Sequence, residues 1–474
     1  MISLRFSTNH VQQILLIILL IVIIGFSTLF YLLNPRLGKI LLFSLIFIIT
    51  FLLIAKYHHQ QITIILVSCL IALTLAIVLL EDFTWNNMID HYIEWEVLAV
   101  VFGMSLLVET ISETGLFDWL IIKMLKISKG EVFPLFVLTF ILTILLSSVL
   151  ANVTAMILVS SMIITTCKSL DYDPTPFILG AVLATDLAGM ATLVSSLPVI
   201  LVGAKAGIGF IEFLVVSLPF VLMSIPISIF YMKKFFPPEK IPLQSTSTGV
   251  DTRMILSLDP WAVVDDVTKF RFAIVSLIVT IFGFALAQPL NIPIGVIAVS
   301  GGIIAIVLTR PDEHQLISKL NWSALLLFAG LFILVGTLEE TEVLIDIAHW
   351  LKDISRGDLF LSGFLIIIIA GFFSGLLDNI PVTAALLPVV EDMNTAHVDS
   401  NPRYLWFILV FSGALGGGWT PFGSAAGILA VSLLAKKRRP LNFKSFVYCF
   451  LPISAFLLIL SGIYLSILAL VGFI

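Results

Sequence analysis

The sequence predicts an all-α polytopic membrane protein, with about 11 transmembrane helices and two re-entrant hairpins in an inverted-topology repeat with discontinuous helices. Three observations predict it: composition, the spacing of apolar runs, and self-similarity between the two halves. Of 474 residues 59% are hydrophobic and only 12% charged, against roughly half and a quarter in soluble domains. With a mean hydropathy of +1.14 the chain has too little polar surface to coat a particle in water. That excludes a soluble enzyme and a disordered chain, and a formal net charge of -5 argues against a nucleic-acid partner. Cys69, Cys167 and Cys449 are far apart in apolar surroundings and read as small core residues, with no disulfide framework or zinc spacing. His58 and His59 share a short loop, and no HExxH pattern occurs.

A helix crosses the hydrocarbon layer in about 20 apolar residues. Runs of that kind lie at 14–33, 39–55, 62–80, 93–111, 132–167, 176–232, 270–287, 292–309, 320–338, 359–390, 404–435 and 445–473. Residues 132–167 and 359–390 are read as hairpins that return to their own side. With the N-terminus cytoplasmic, only Arg36, Lys39, Lys205, Lys352, Arg356 and Arg403 of the 25 basic residues then fall outside, as the preference of Lys and Arg for cytoplasmic loops demands. The expectation is an integral protein of the plasma (inner) membrane with its C-terminus outside.

At an offset of 227 residues Trp95 meets Trp322, Gly103 meets Gly330, Thr110 meets Thr337, Glu113 meets Glu340, Ser147 meets Ser374 and Asn152 meets Asn379. At 228, Gly189 meets Gly417, Thr192 meets Thr420 and Ser196 meets Ser424. The expected organisation is an extra N-terminal helix (1–38), a first repeat (39–236), a polar cytoplasmic linker (237–268) and a second repeat (269–474). An odd number of crossings per repeat inserts the second copy upside down, as in many secondary transporters.

Polar residues at bilayer depth are costly and need a reason. They gather in SSVLANVT (147–154), TDLAGMATLVSS (185–196), SGLLDNIPVT (374–383) and GALGGGWTPFGS (413–424), the stretches that the repeat pairs. Glycine and proline there disfavour continuous helix, so the first and third are expected as hairpin tips and the second and fourth as breaks. Half-helix N-termini at such places present free N–H groups to an anion, while carbonyls and hydroxyls can hold a cation. The candidate substrate- and ion-binding residues are Asn152, Thr154, Asp186, Gly189, Thr192, Ser196, Asp378, Asn379, Thr383, Gly417, Thr420 and Ser424, with Na+ expected near Asn152, Asn379 and Asp378. Asp186 and Asp378 suit proton or cation coupling, although Asp378 also stands where an aspartate caps a helix.

SGLLDNIPVTAALLPVV (374–390) resembles the hairpin signature of the ion transporter superfamily, in its ArsB/NhaD and citrate-transporter-like (CitMHS) branch, which includes the P proteins. GGGWTPFGS (416–424) is similar to that branch's second break, and AGMATLVSSLP (188–198) to its GGxATLIGDPPN, with Ser196 and Val199 where the pattern has Asp and Asn. Ala151 stands where many relatives carry Asp, and Gly427 where many carry Asn. The resemblance implies a homodimeric secondary transporter whose hairpins and broken helices move against a scaffold. The expected function is Na+- or H+-coupled transport of a small inorganic or organic anion by alternating access, without a resident cofactor. Na+/H+ antiport of NhaD type is the alternative, arsenite efflux a narrower variant, and an intramembrane aspartyl enzyme using Asp186 and Asp378 the reading from another class.

Overall fold

The structure is a computed structural model that describes residues 34–57, 60–80, 83, 84, 86, 88–150, 152–241, 259–395, 403–436, 439 and 441–474. Most of the expected extra N-terminal helix, His58, His59, Ala151 and residues 242–258 of the expected linker lie outside the described residues. Among the described residues there are helices and turns, with α1 Pro35–Lys56, α2 Gln61–Leu79, α3 Trp95–Ser112, α4 Leu116–Ser128, α5 Val132–Ser147, α6 Asn152–Leu170, α7 Thr175–Ala188, α8 Leu197–Ala206 and α9 Phe210–Phe235. The same order then recurs: α10 Val267–Ala287, α11 Ile294–Thr309, a short α12 Glu313–Lys319, α13 Trp322–Glu339, α14 Val343–Ser355, α15 Leu359–Leu377, α16 Asn379–Thr395, α17 Tyr404–Gly417, α18 Ala425–Lys436 and α19 Phe443–Leu470. The starts of α3, α4, α5 and α6 recur 227 residues later as α13, α14, α15 and α16, and α8 recurs 228 later as α18.

Nine described helices are long and apolar enough to cross a membrane. Two of these, α6 and α15, belong to the hairpins, and their length alone does not distinguish a crossing from a return. The contacts at their ends do. The Tyr172 hydroxyl, after α6, donates to the Gly130 carbonyl ahead of α5 at 2.8 Å, and Lys352, ahead of α15, pairs with Asp392 near the end of α16 at 2.7 Å. Each hairpin therefore finishes beside its own beginning.

Local chemistry accounts for the starts and the interiors. The side chains of Asn34, Asp266 and Asp358 accept backbone N–H groups at the starts of α1, α10 and α15, which satisfies donors that a helix leaves open. Buried hydroxyls inside helices donate to the preceding turn, as Thr139 does to Leu135, Thr143 to Thr139 and Thr185 to Ala181, so they need no partner across the bilayer. Val78, Phe230 and Leu470 remain 70% or more exposed, a surface suited only to lipid.

The chain divides into two units. One contains residues up to Ile93 and Leu326–Trp350, hence α1, α2 and most of α13 and α14. In it Gly330 approaches Ile65 and Cys69 so closely that the Cys69 thiol donates to its carbonyl, and the Tyr92 hydroxyl donates to Glu340. The other unit, Glu94–Leu325 and Leu351–Ile474, contains both hairpins and both breaks. Exchanging α5–α9 for α15–α19 maps the packed pairs among these ten helices onto themselves. Thus α5–α7 answers α15–α17, α6–α18 answers α16–α8 and α9–α7 answers α19–α17, while α7–α17 and α9–α19 are their own images. A two-fold exchange of halves requires such a set.

At one end of this unit Arg403, ahead of α17, pairs with Glu212 at the start of α9 (2.9 Å) and donates to the carbonyls of Ala206 and Gly207 that end α8. At the other, Arg439, beyond α18, pairs with Asp173 ahead of α7 (2.6 Å). The two pairs join corresponding elements with the signs of charge reversed.

Three helices that the apolar runs do not show are α4, α14 and the short α12. The first two are amphipathic, with LFDWLIIKMLKIS and VLIDIAHWLKDIS matching at offset 227, and too short and charged to register as spans.

Backbone-to-backbone contact sets the packing tolerance. A Cβ on Gly416 of α17 would lie 2.5 Å from the Cα and carbonyl oxygen of Gly371 on α15. Gly416→Ala should therefore destabilise the protein by ~1–3 kcal/mol, lowering the thermal midpoint in detergent, whereas Ile467→Ala on the exposed face of α19 should not. Equal midpoints for both variants and wild type would contradict the close approach.

Candidate functional site

The four polar stretches fold as two tips and two breaks. Helix α5 stops at Ser147 and α6 begins at Asn152; α7 stops at Ala188 and α8 begins at Leu197; α17 stops at Gly417 and α18 begins at Ala425. The second tip is a single residue, Asp378, held at φ 106 between α15 and α16. A non-glycine residue at such a φ is strained. The strain is balanced locally: its N–H donates to the Ser374 carbonyl and its Oδ1 accepts the Ile380 N–H at 3.3 Å.

Tip and break are tied together in the same way in both halves. Thr192 donates to the Ser148 carbonyl at 2.6 Å, and Thr420 donates to the carbonyl of Gly375, the residue 227 positions after Ser148. Asn152 and Asn379 are the first residues of α6 and α16, and each lies against one of the two glycines, Gly189 and Gly417, that the repeat sets in equivalent places. A Cβ on Gly189 would sit 3.2 Å from Asn152 Nδ2, and one on Gly417 would sit 3.4 Å from Asn379 Cβ. The structure thus brings Asn152, Gly189 and Thr192 together, and likewise Asn379, Gly417 and Thr420.

Other candidates are placed differently. Ser196 donates to the Gly189 carbonyl at 2.6 Å, as does Ser195 at 2.9 Å, so both hydroxyls close the first break on itself. Ser424 accepts the Gly427 N–H at 3.3 Å as α18 begins. Thr154 is half-buried in the first turn of α6. Thr383 is fully buried against Gly413, its Oγ1 without a hydrogen-bond partner. Asp186, near the end of α7, is 5% exposed and faces Gly418 and Ser424 in the opposite half's break.

Sequence reasoning did not single out Ser148, Gly375, Ser374, Gly413, Gly418 or Ser454. Ser374 was visible as the repeat partner of Ser147, yet the two differ: Ser147 donates to Asn152 Oδ1 at 2.9 Å, Ser374 to the Gly413 carbonyl at 2.5 Å. Ser148 and Gly375 contribute only carbonyls, which any residue type provides.

The electrostatics come from backbone. Four helix N-termini, those of α6, α8, α16 and α18, start at the tips and breaks, and the described Lys and Arg of this unit lie at helix ends and connections away from them. Among the described residues no cluster of three His, Cys, Asp or Glu could hold a metal ion. Beside the first tip lies a cavity of about 50 Å³, lined by Ser148 and Thr192 and by apolar side chains including Met104, Leu107, Leu277 and Phe284. It has space for a small occupant only.

The family model described as "Citrate transporter" matches residues 44–411, from α1 into α17. The chain is 27% identical to the "46 kDa membrane protein" of Mycobacterium leprae over 89% of its own length and 96% of that protein. It is 23% identical to an uncharacterized transporter of Synechocystis, over 90% and 97%, and 24% identical to the mouse P protein, over 77% and 53%. In structure it is similar to the Alcanivorax borkumensis YdaH transporter, with a TM-score of 0.55 at 12% identity across 82% of this chain and 87% of that one, a likeness of fold alone. On the extent of the family match, the chain is a membrane transporter and belongs to the citrate transporter family.

Proposed function

We propose that the protein is an ion-coupled secondary transporter of a small anion, inorganic or carboxylate, which the helix N-termini at the tips and breaks hold while Na+ or H+ drives its movement. The observation that carries this reading is the repeated unit of asparagine, glycine and threonine at Asn152–Gly189–Thr192 and Asn379–Gly417–Thr420. Around it the hydroxyls of Thr192, Ser195, Ser196, Ser374 and Thr420 are spent on carbonyls. The unsatisfied groups of helix starts are N–H donors, and together with the positive ends of the helix dipoles they favour an anion without a basic side chain. The asparagine amides add donors that a lone helix end lacks. Membership of the citrate transporter family supports a carboxylate such as citrate as the first solute to test.

Alternating access follows from the repeat. Two copies with an odd number of crossings insert with opposite sense, so exchange of their conformations exposes the same midplane site to one side and then the other. The ion pairs support the sidedness drawn from basic residues. Lys205–Glu391, Lys352–Asp392 and Arg403–Glu212 join groups that the basic-residue count places outside, and Lys319–Glu113 and Arg439–Asp173 join groups placed inside. An aspartyl enzyme finds no support, because Asp378 Oδ1 is engaged in capping α16 and Asp186 Oδ2 faces Gly418, while a shared proton needs two carboxyls that face each other.

Purified protein in proteoliposomes should accumulate labelled citrate, succinate or phosphate above equilibrium under an imposed Na+ or H+ gradient. Failure to accumulate any such anion under either gradient would overturn the reading. Asn152→Asp and Asn379→Asp place a negative charge where the anion rests and should each weaken uptake by about tenfold or more, mostly through KM, since losing a charge-assisted contact costs ~1.5–3 kcal/mol. Undiminished uptake in both would move the anion away from the tips.

Sidedness is tested separately. In intact cells Arg356→Cys should react with a membrane-impermeant maleimide from outside, and Lys129→Cys only after permeabilisation; the opposite pattern would invert the topology.

A further inference from the structure

Asp186 is an acid that the repeat does not copy. Its counterpart 228 residues later is Ala414. It is buried near the end of α7, and its carboxyl reaches across to the second half. Oδ2 has no hydrogen-bond partner and lies 2.8 Å from the place a Cβ on Gly418 would occupy, with Ser454 Oγ of α19 at 3.3 Å from that same place. The Ser424 hydroxyl faces the carboxyl from the start of α18. Glycine at 418 is what lets the carboxyl approach the break so closely.

We propose that Asp186, enclosed by Gly418, Ser424 and Ser454, carries the coupling proton, an inference that rests on the protein's being an ion-coupled anion transporter. An ionised carboxylate held away from water needs a compensating charge, and none stands beside it among the described residues of the helices packed on α7. Of the elements packed on α7, α5 carries no ionisable side chain. The others carry theirs toward their ends or on other faces: Cys167 and Lys168 on α6, Glu212, Tyr231, Lys233 and Lys234 on α9, Tyr404 on α17, Lys436 on α18. On α19, which contributes Ser454, Lys444, Tyr448, Cys449 and Tyr464 each lie more than a helical turn from that serine. A proton neutralises the carboxyl and lets it donate to a serine hydroxyl. A hard metal cation takes about six oxygen ligands, whereas the oxygens gathered around Gly418 are one carboxylate, the Ser454 and Ser424 hydroxyls and the Leu415 carbonyl.

Asp378 is not equivalent. Its Oδ1 is engaged in capping α16 through the Ile380 N–H, whereas Oδ2 of Asp186 has no hydrogen-bond partner. The position of Asp186 also sets the sign of coupling. It precedes Gly189, against which Asn152 rests, by three residues, so an anion at the tips disfavours a second negative charge nearby and promotes protonation. By linkage the proton in turn favours the anion, and the two travel in the same direction.

The test uses purified full-length protein and infrared difference spectra across pH jumps, with no transported solute present. Wild type should show the C=O stretch of a protonated carboxyl that Asp186→Asn removes, Asp378→Asn retains and added Na+ leaves in place. Gly418→Ala, which keeps the carboxyl but crowds it, should shift that band, and this variant guards against Asp186→Asn simply failing to fold. Persistence of the band in Asp186→Asn, its displacement by Na+, or an unshifted band in Gly418→Ala would each overturn the proton site. With citrate as probe in proteoliposomes, wild-type uptake should carry protons inward, read by an internal pH dye, and Asp186→Asn should lose accumulation driven by a pH gradient. Proton movement opposite to citrate, or unaltered pH-driven accumulation in Asp186→Asn, would overturn it as well. If the band behaves as expected while wild type accumulates none of citrate, succinate and phosphate, the transport reading fails and the proton site stands.

Discussion

The structure depends on one constraint: a peptide group at bilayer depth must be hydrogen-bonded or be put to use. A continuous helix meets it without help. Once α5–α6, α7–α8, α15–α16 and α17–α18 are interrupted, carbonyls and N–H groups are released together, and the side chains sort them. Thr192, Ser195, Ser196, Ser374 and Thr420 all donate to carbonyls. Asp378 and Ser424 each accept one N–H at the starts of α16 and α18, and what remains in excess is the rest of the N–H end of each following helix. Such an excess of N–H donors suits an anion better than a cation, because these hydroxyls are spent on carbonyls.

This sorting also explains why the ties join different segments. Had each threonine bonded the preceding turn of its own helix, as Thr139 and Thr185 do, tip and break would be free to slide past each other. By bonding Ser148 and Gly375 across the gap, Thr192 and Thr420 hold each asparagine against its glycine. The geometry at Asn152 and Asn379 is therefore set by contacts 40 or more positions away in the chain, which is what a preorganised site demands.

Much of this was legible in the sequence, for identifiable reasons. Lipid forces every span to be apolar, so the crossing helices appear as runs, and residues that violate the pattern stand out; that is how the tips, breaks and paired asparagines could be named. Helices α4 and α14 were not legible as runs because an amphipathic helix at an interface carries charges such as Asp118, Lys123, Asp346 and Lys352. Nor were the carbonyls of Ser148 and Gly375, since backbone acceptors leave no mark in residue type. The cross-half approach of Asp186 to Gly418 was hidden for another reason. The repeat alignment pairs residues that occupy equivalent places, not residues that touch across the two-fold relation.

The charged pairs at the two ends show how far that distinction goes. Arg403 with Glu212, and Asp173 with Arg439, join equivalent elements, yet an alignment of the halves sets Asp173 near Arg403 and sees a mismatch. The Coulomb energy of a pair is unchanged when both signs are reversed, so duplication followed by divergence can preserve the interaction while altering both residues. As partly exposed pairs they add little to stability, on the order of 0–1 kcal/mol. Their consequence is geometric. Arg403 also holds the last carbonyls of α8, which anchors the outer end of a ten-residue half-helix whose inner end must stay open to the break. A half-helix that is fixed at its rim and unencumbered at its N-terminus can face an anion without being stabilised by it alone.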